Sequence, residues 1–204
     1  MSTIILLVRH GQTEWNRVER FRGQYDVELN ATGIEQAKKT AQCIRKRWQP
    51  AAILCSPLKR AVQTAEAIAQ VCALTVQPDP GLIDIHYGEW QGLTPDEVRE
   101  KFPDRLTDWY EHPERAAIPG GERLAEVQGR SMSVLLAAAK QYSDQVIVAV
   151  SHTVVNRLVL LRVLGLGIEA FWRLRQEPCA INVIEISPQN FVLGSMNDTC
   201  HLQD

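Results

Sequence analysis

Two histidines and an arginine stand where apolar strand patterns end, and their side chains suit the binding of an anion such as phosphate. Arg9 and His10 follow the apolar run at residues 4–8, and His152 follows the run at residues 146–150. A guanidinium presents a planar fork of donors that matches phosphate oxygens. An imidazole serves as a nucleophile or as a proton carrier. Gly11 has no Cβ, so the chain can turn sharply there and a ligand can come close.

The elements around these residues predict that they meet. In an open α/β sheet, ligands bind beyond the carboxyl ends of the strands, where Arg9, His10 and His152 are expected. A helix pattern begins just after His152, and anions are favoured at helix N-termini. Arg60 lies one turn into the helix that follows residues 51–55, so it can reach back towards the strand ends. Each residue alone also fits a solvated or structural role, but two histidines at equivalent strand ends favour a site.

Strand and helix patterns alternate along the chain, which favours an α/β fold with a mostly parallel sheet in a three-layer αβα arrangement. A capping box at Thr32 and Glu35 predicts the start of the first long helix, and Ser56 with Pro57 predicts the start of the second. The remaining elements are predicted as strands at residues 4–8, 51–55, 74–76 and 146–150, a hairpin at 181–186 and 191–193, and helices at 122–142 and 153–164.

Residues 82–121 interrupt the alternation. They place tryptophans and tyrosines among proline, glycine and charged residues, and they show no strand pattern. Thr94 and Glu97 have the spacing of a capping box, which predicts a short helix. We expect this segment to be a helical cap insertion over the site, within a single domain that spans residues 1–204.

The composition is that of an ordinary globular protein, with 204 residues of which 45% are hydrophobic and 23% are charged. The net charge of −2 gives no reason to expect nucleic acid or a membrane surface as a partner. The five cysteines form no CxxC pair, and no signal peptide or membrane-length apolar run is found, so we expect a cytoplasmic protein. No HxH, HExxH or carboxylate-rich cluster has ligand spacing, which makes a zinc or two-metal hydrolase the weaker alternative.

The run RHGQTEWN at residues 9–16 resembles the signature of the histidine phosphatase superfamily, also called the phosphoglycerate mutase-like family. Residues 54–65 are similar to the family's strand-Ser-x-x-x-Arg-Ala-x-x-Thr-Ala pattern, with Arg60 at its arginine. The resemblance implies that His10 forms a phosphohistidine and that Arg9 holds the phosphoryl group. It also implies that His152 lines the phosphate pocket. Arg9, Arg60 and both histidines together suit a dianionic phosphoryl group, whose transfer depends on positioning and charge neutralisation.

The reaction also needs a proton for the leaving oxygen and a base for water. Residues 82–92 look like the family segment that holds this group, and they place Asp84 where the family usually has a glutamate. Glu89, five residues further on, is the alternative acid.

Four residues are candidates for substrate binding. Asn16, Arg22 and Gly23 match family positions near the phosphate or the substrate. Thr153 stands where the family commonly has glycine, directly after His152, so it is a candidate contact that departs from the family pattern.

These patterns together predict a metal-independent phosphomonoesterase that hydrolyses a small phosphorylated metabolite through a phosphohistidine and needs no cofactor. A cofactor-dependent phosphoglycerate mutase would use the same residues, but the chain is shorter than typical mutases and lacks a long lysine-rich insertion. A non-catalytic protein that binds phospholigands is the third alternative. The sequence leaves open which phosphate ester is the substrate and what the oligomeric state is.

Overall fold

A six-stranded sheet forms the centre of the part of the chain that the computed structural model describes, residues 2–17, 20–187 and 189–203. The strands are β1 (Thr3–Arg9), β2 (Pro50–Cys55), β3 (Val76–Pro78), β4 (Val146–Ser151), β5 (Ile181–Ile186) and β6 (Phe191–Asp198). Their order is β3-β2-β4-β1-β5-β6. The first four in this order run parallel, and β5 and β6 form the antiparallel hairpin at one edge. The prediction of a mostly parallel sheet with a closing hairpin is therefore confirmed.

Helices cover both faces of the sheet. The α-helices are α1 (Glu14–Arg17), α2 (Ala31–Arg47), α3 (Lys59–Cys72), α4 (Pro95–Lys101), α5 (Pro103–Glu111), α6 (Leu124–Gln141) and α7 (Thr153–Val163). Short 3-10 helices lie at Pro80–Leu82, Gly88–Trp90, Ile168–Arg173 and Cys200–Leu202. On β1, Ile5 and Leu7 pack in a buried cluster with α6 and α7, whereas Leu6 and Val8 pack with α2 and α3. Side chains alternate across a strand, so one apolar strand anchors both helix layers and gives the predicted three-layer α/β arrangement.

The first long helix starts earlier than the sequence predicted. Asn30 caps α2, and its side-chain oxygen accepts a hydrogen bond of 2.8 Å from the backbone N–H of Gly33. The predicted capping box at Thr32 and Glu35 was therefore wrong. The Glu35 carboxylate instead lies 2.6 Å from the ammonium of Lys38 on the helix surface. Asparagine competes well for the N-cap position, and its earlier place in the chain sets the start of this helix.

The second long helix starts later than predicted. Helix α3 begins at Lys59, with Leu58 as its N-cap, whereas Ser56 and Pro57 lie before it. The Ser56 hydroxyl accepts a hydrogen bond from the backbone N–H of Leu58 at 3.3 Å, so it forms a local turn rather than a helix cap.

The strand predicted at residues 74–76 lies at Val76–Pro78. Ala73 ends α3 in the left-handed region at a φ of 55°, and Leu74 donates its N–H to the carbonyl of Ala69. These two residues complete the end of the helix, so the strand begins after them.

Residues 82–121 contain the 3-10 helix at Gly88–Trp90 and the α-helices α4 and α5, and the capping box of Thr94 and Glu97 is present as predicted. Trp90 and Trp109 from this segment are buried in the same cluster as the β1 residues that face α6 and α7. The segment thus contributes to the hydrophobic core on that side of the sheet. No helix in the described ranges combines the length and apolar character that a membrane span requires.

Candidate active site

The register of two parallel strands places the two histidines side by side. Arg9 on β1 is the partner of Ser151 on β4, and His10 donates its backbone N–H to the Ser151 carbonyl at 3.0 Å. His10 directly follows Arg9, and His152 directly follows Ser151. The centroids of the two imidazole rings lie 5.1 Å apart. The equivalent strand ends inferred from the sequence are therefore neighbours in the sheet.

The geometry of His10 fixes which of its nitrogens can react. Its Nδ1 lies 2.7 Å from the carbonyl oxygen of Gly11. A carbonyl oxygen only accepts hydrogen bonds, so Nδ1 carries the proton and Nε2 keeps its lone pair. Burial, followed by the positive charges of Arg60 and Arg9, lowers the pKa of His10 well below its usual value. His10 is therefore a neutral imidazole with a free Nε2.

Close backbone packing holds the loop that carries His10. A Cβ on Gly11 would lie 2.6 Å from the carbonyl oxygen of Gly33 at the start of α2, so only glycine fits there. The N–H of Gly11 donates to the hydroxyl of Thr64 on α3 at 3.1 Å. The loop is thus held between two helices.

Arg9 is buried beside His10 and is held by the loop that precedes β5. Its Nη1 donates to the backbone carbonyl of Gln176. The side chain of Gln176 is itself fixed, because its amide exchanges hydrogen bonds of 2.8 and 2.9 Å with Asn182 on β5. The Nε of Arg9 has no hydrogen-bond partner among the described residues.

Arg60 joins α3 to the rest of the site. It is fully buried, and its Nη2 lies 3.2 Å from Oδ2 of Asp84. Its guanidinium also donates to the backbone carbonyls of Tyr25, at 2.7 Å, and Gly23, at 2.8 Å. Its Nε has no partner among the described residues. Arg60 therefore sits behind the cavity wall and places one positive charge next to Asp84.

Asp84 is a buried carboxyl whose pKa lies above its usual value. Burial raises the pKa of Asp84, while the nearby charges of Arg60 and Arg22 act in the opposite direction. Its Oδ1 accepts the backbone N–H of Ile85 at 3.0 Å. A carboxyl group with a raised pKa is suited to donate a proton. Glu89, by contrast, is exposed and does not belong to the described residues that line the cavity.

His152 is the N-cap residue of α7, and none of its surface is exposed. Neither ring nitrogen has a hydrogen-bond partner in the described part of the chain, although Nδ1 lies 3.7 Å from Oδ2 of Asp84. Burial first, and then the charge of Arg60, lower the pKa of His152 well below its usual value. The second imidazole is therefore neutral as well.

The four candidate substrate contacts occupy different places. Arg22, Gly23 and Thr153 line the cavity in front of His10. Asn16 does not belong to the described lining of the cavity. Its Oδ1 instead accepts hydrogen bonds from the backbone N–H and the hydroxyl of Thr13, at 2.8 and 3.0 Å. Arg22 donates to the same Thr13 hydroxyl at 3.1 Å. Asn16 thus supports the residue that supports Arg22.

The cavity has a volume of about 590 Å³ and opens beyond His10. The described residues that line it are Arg9, His10, Arg20, Phe21, Arg22, Gly23, Asp84, Tyr87, Pro95, Trp109, Tyr110, Thr153, Val154, Arg157, Phe171, Trp172, Arg175, Gln176 and Glu177. Pro95, Trp109 and Tyr110 come from the segment that the sequence predicted to cover the site. The sequence analysis named Thr153 of α7 but missed Val154 and Arg157 on the same helix and the lining residues between 171 and 177. Arg157 had a usable signal, because it lies four residues after Thr153 and so on the same helix face.

The charges of the site are unbalanced. Three guanidinium groups, those of Arg9, Arg22 and Arg60, lie near the buried carboxyl of Asp84, and burial lowers the pKa of each arginine. A dianionic group bound here would offset the excess positive charge. Within the described residues, no group of three or more His, Cys, Asp or Glu side chains could hold a metal ion.

Comparison with known proteins identifies the family. The family model of the histidine phosphatase superfamily (branch 1) matches residues 5–199. The chain therefore belongs to this superfamily, as the motif at residues 9–16 indicated.

The names of similar proteins narrow the range of activities. Phosphoserine phosphatase 1 of Hydrogenobacter thermophilus is 37% identical over 198 residues, which cover 97% of this chain and 93% of that protein. A metal-independent phosphoserine phosphatase of Arabidopsis thaliana is 34% identical, with 98% and 83% covered. A probable phosphoglycerate mutase of Yersinia pestis, GpmB, is also 34% identical, with 97% and 94% covered. Family and relatives together make this chain a histidine phosphatase, a metal-independent phosphomonoesterase.

Solved structures show the same fold. Bacillus stearothermophilus YhfR superimposes with a TM-score of 0.94 at 26% identity, covering 98% of this chain and 100% of that one. Phosphoserine phosphatase from Entamoeba histolytica, solved with 3-phosphoglyceric acid, gives a TM-score of 0.88 at 29% identity, with 98% and 100% covered.

Proposed function

We propose that the protein hydrolyses small phosphate monoesters through a phosphohistidine on His10, with O-phosphoserine as the first candidate substrate. One observation carries this proposal. Arg9 lies beside His10 in the wall of the cavity, and its buried Nε has no hydrogen-bond partner among the described residues. Buried polar atoms are rarely left unpaired in native proteins, and donors of this kind fit the oxygens of a phosphoryl group.

The first step transfers the phosphoryl group to the enzyme. Nε2 of His10 attacks phosphorus, the Nε2–P bond forms and the bond from phosphorus to the ester oxygen breaks. The leaving oxygen takes a proton from Asp84, the cavity-lining carboxyl whose pKa is raised by burial. The charges of Arg9, Arg22 and Arg60 stabilise the transferring group, because burial strengthens their field.

The second step returns the enzyme to its starting state. The Asp84 carboxylate takes a proton from water, the water oxygen attacks phosphorus and the Nε2–P bond breaks. Inorganic phosphate leaves, His10 is neutral again and Asp84 is protonated again. In this proposal His152, whose Nδ1 lies 3.7 Å from Oδ2 of Asp84, stabilises the phosphoryl group as it moves.

The remaining roles belong to the same proposal. Arg22, Gly23 and Thr153 line the cavity, which supports their assignment as substrate contacts. Asn16 contributes by holding Thr13, to which Arg22 donates. Residues 82–121 act as a cap inserted in a single domain, since their aromatic side chains form one wall of the cavity. A cytoplasmic location agrees with all five cysteines being free.

The substrate proposal rests on the relatives. Two of them are named phosphoserine phosphatases, and the solved Entamoeba histolytica enzyme holds 3-phosphoglyceric acid. Both compounds are small phosphate monoesters that also carry a carboxylate.

A screen of phosphate monoesters in excess chelator tests the proposal. We expect release of inorganic phosphate from O-phosphoserine with the highest kcat/KM of the set, unchanged by the chelator. A strict need for added divalent metal would contradict the mechanism. A higher kcat/KM for an unrelated sugar phosphate than for O-phosphoserine would contradict the proposed substrate.

The same reaction mixture separates hydrolysis from mutase activity, which the relative named GpmB makes the second candidate. With 3-phosphoglycerate, we expect inorganic phosphate and glycerate. Formation of 2-phosphoglycerate at a comparable rate would favour the mutase.

A further inference from the structure

Arg157 forms a second cationic position in the cavity, separate from the arginines around His10. It lies on α7, one helical turn beyond Thr153 and so about 6 Å further along the helix axis. Both residues line the cavity. His10 and Arg157 therefore face the same cavity, in which the leaving group of a substrate bound at His10 must lie.

Two aromatic rings hold the guanidinium of Arg157. Its Cζ lies over the ring of Phe171 and over the ring of Trp172, at 5.1 Å from each centroid. Trp172 is fixed in turn, because its Nε1 donates to the backbone carbonyl of Trp109 at 2.8 Å. Such cation–π contacts attract the charge but accept none of its in-plane N–H donors.

These donors have no acceptor in the described part of the chain, where Arg157 forms no hydrogen bond or ion pair, and its Nε is buried. The other two arginines that line the outer cavity differ. Arg20 donates to the carbonyl of Gly92 at 2.6 Å, and the side chain of Arg175 is 83% exposed. Arg157 is thus a half-buried, oriented cation whose N–H donors are open to an anionic ligand in the cavity.

We infer that Arg157 binds a carboxylate on the leaving group. It thereby selects phosphate monoesters in which a carboxylate lies two or three carbons away from the ester oxygen. This inference rests on the proposed function and deepens it. A guanidinium matches a carboxylate with two parallel hydrogen bonds, and the rings of Phe171 and Trp172 hold the guanidinium in place.

The test compares O-phosphoserine with O-phosphoethanolamine, which keeps the phosphate and the ammonium but lacks the carboxylate. We expect Arg157→Met to raise KM for O-phosphoserine by about tenfold or more with kcat little changed, since a charged hydrogen bond is lost. The same variant should leave O-phosphoethanolamine and p-nitrophenyl phosphate nearly unaffected. Arg157→Lys should recover part of the loss. Arg162→Met, an exposed arginine on the same helix, is the matched control.

Two results would overturn the inference while the proposed function stands. One is an equal loss on all three substrates in Arg157→Met, which would make the residue structural. The other is a wild-type enzyme that does not distinguish O-phosphoserine from O-phosphoethanolamine.

Binding separates the inference from turnover. In the His10→Ala background, calorimetry should show O-phosphoserine binding more tightly than O-phosphoethanolamine, and Arg157→Met should remove that difference. If the difference in affinity survives Arg157→Met, the inference about Arg157 is overturned. If the wild type hydrolyses none of the three esters, the proposed function is refuted, and the binding result still decides the inference.

Discussion

The imidazole of His10 lies 5.1 Å from the imidazole of His152, measured between ring centroids. Both rings are buried, and the neighbouring arginines add positive charge to that environment. Burial comes first and the arginine charges second in lowering the pKa of each histidine well below its usual value. The pair is therefore neutral in the folded protein. A neutral His10 keeps the lone pair on Nε2 that a nucleophile needs.

The neutral pair predicts a loss of stability as the pH falls below about 6.5. In the unfolded chain both histidines take up protons near that pH, whereas the folded protein keeps them neutral until the lower, folded pKa values are reached. The unfolded state then binds more protons, so the free energy of unfolding decreases by about 1.4 kcal/mol per pH unit for each histidine. Above this window both states are neutral and the effect disappears.

Denaturant unfolding of the wild type and of His10→Gln, in phosphate-free buffer between about pH 7 and pH 5, measures this term. As the pH falls, the free energy of unfolding of the wild type should decrease more steeply than that of His10→Gln. The difference in slope should equal the contribution of one histidine. Parallel curves would show that His10 titrates normally in the folded protein.

The tautomer of His10 predicts where the phosphoryl group attaches. Brief incubation with labelled substrate should leave phosphate on the protein that is labile in acid and stable in alkali, as expected for phosphohistidine. His10→Ala should abolish both the label and turnover, because Nε2 is removed. Label at the wild-type level in His10→Ala would place the nucleophile elsewhere.

Asp84 rather than Glu89 is predicted to be the general acid. Asp84→Asn should cripple hydrolysis of alkyl phosphates, whose leaving group needs the proton, but spare the first step with p-nitrophenyl phosphate. Rapid mixing should then show a burst of nitrophenol followed by a slow steady state, since the same carboxylate activates water. Glu89→Gln is the matched control and should behave as the wild type, because Glu89 is exposed. The reverse pattern in the two variants would exchange the assignments.

Two glycines in helices are predicted to respond oppositely to alanine. Gly129 on α6 has open space around the position of a Cβ, so Gly129→Ala should stabilise the protein by about 0.5–1 kcal/mol. A Cβ on Gly33 would clash with the carbonyl oxygen of Gln12, in the loop that carries His10. Gly33→Ala should therefore lower the melting temperature and kcat together. Stabilisation by both substitutions would mean that the loop and α2 are not packed this closely.

The sequence by itself determined the elements and the chemistry they carry. The apolar runs before Arg9 and before His152 specified two strands, because runs of that length and composition are stable only when buried. The residues that follow these runs were therefore placed correctly at the carboxyl ends of two strands. The motif at residues 9–16 also indicated the family that the full-length match then established.

Local signals failed where two residues compete for one role. Asn30 took the N-cap that Thr32 was predicted to hold, and Leu58 precedes a helix predicted to start at Ser56. Asparagine and threonine are both good N-caps, so residue type alone did not decide between Asn30 and Thr32. Leucine is a poor N-cap, so the start of α3 after Leu58 is set by the packing of the helix and not by its cap.

Only the tertiary structure decided which strand ends are neighbours and what surrounds them. Pairing of Arg9 with Ser151 across β1 and β4 brings the two histidines together, although more than a hundred residues separate them in the chain. The same packing buries Arg60 against Asp84, exposes Glu89 and sets Arg157 between Phe171 and Trp172. Strand pairing and burial depend on contacts between distant segments, and these contacts, rather than the residue types alone, set the charge, the pKa values and the shape of the site.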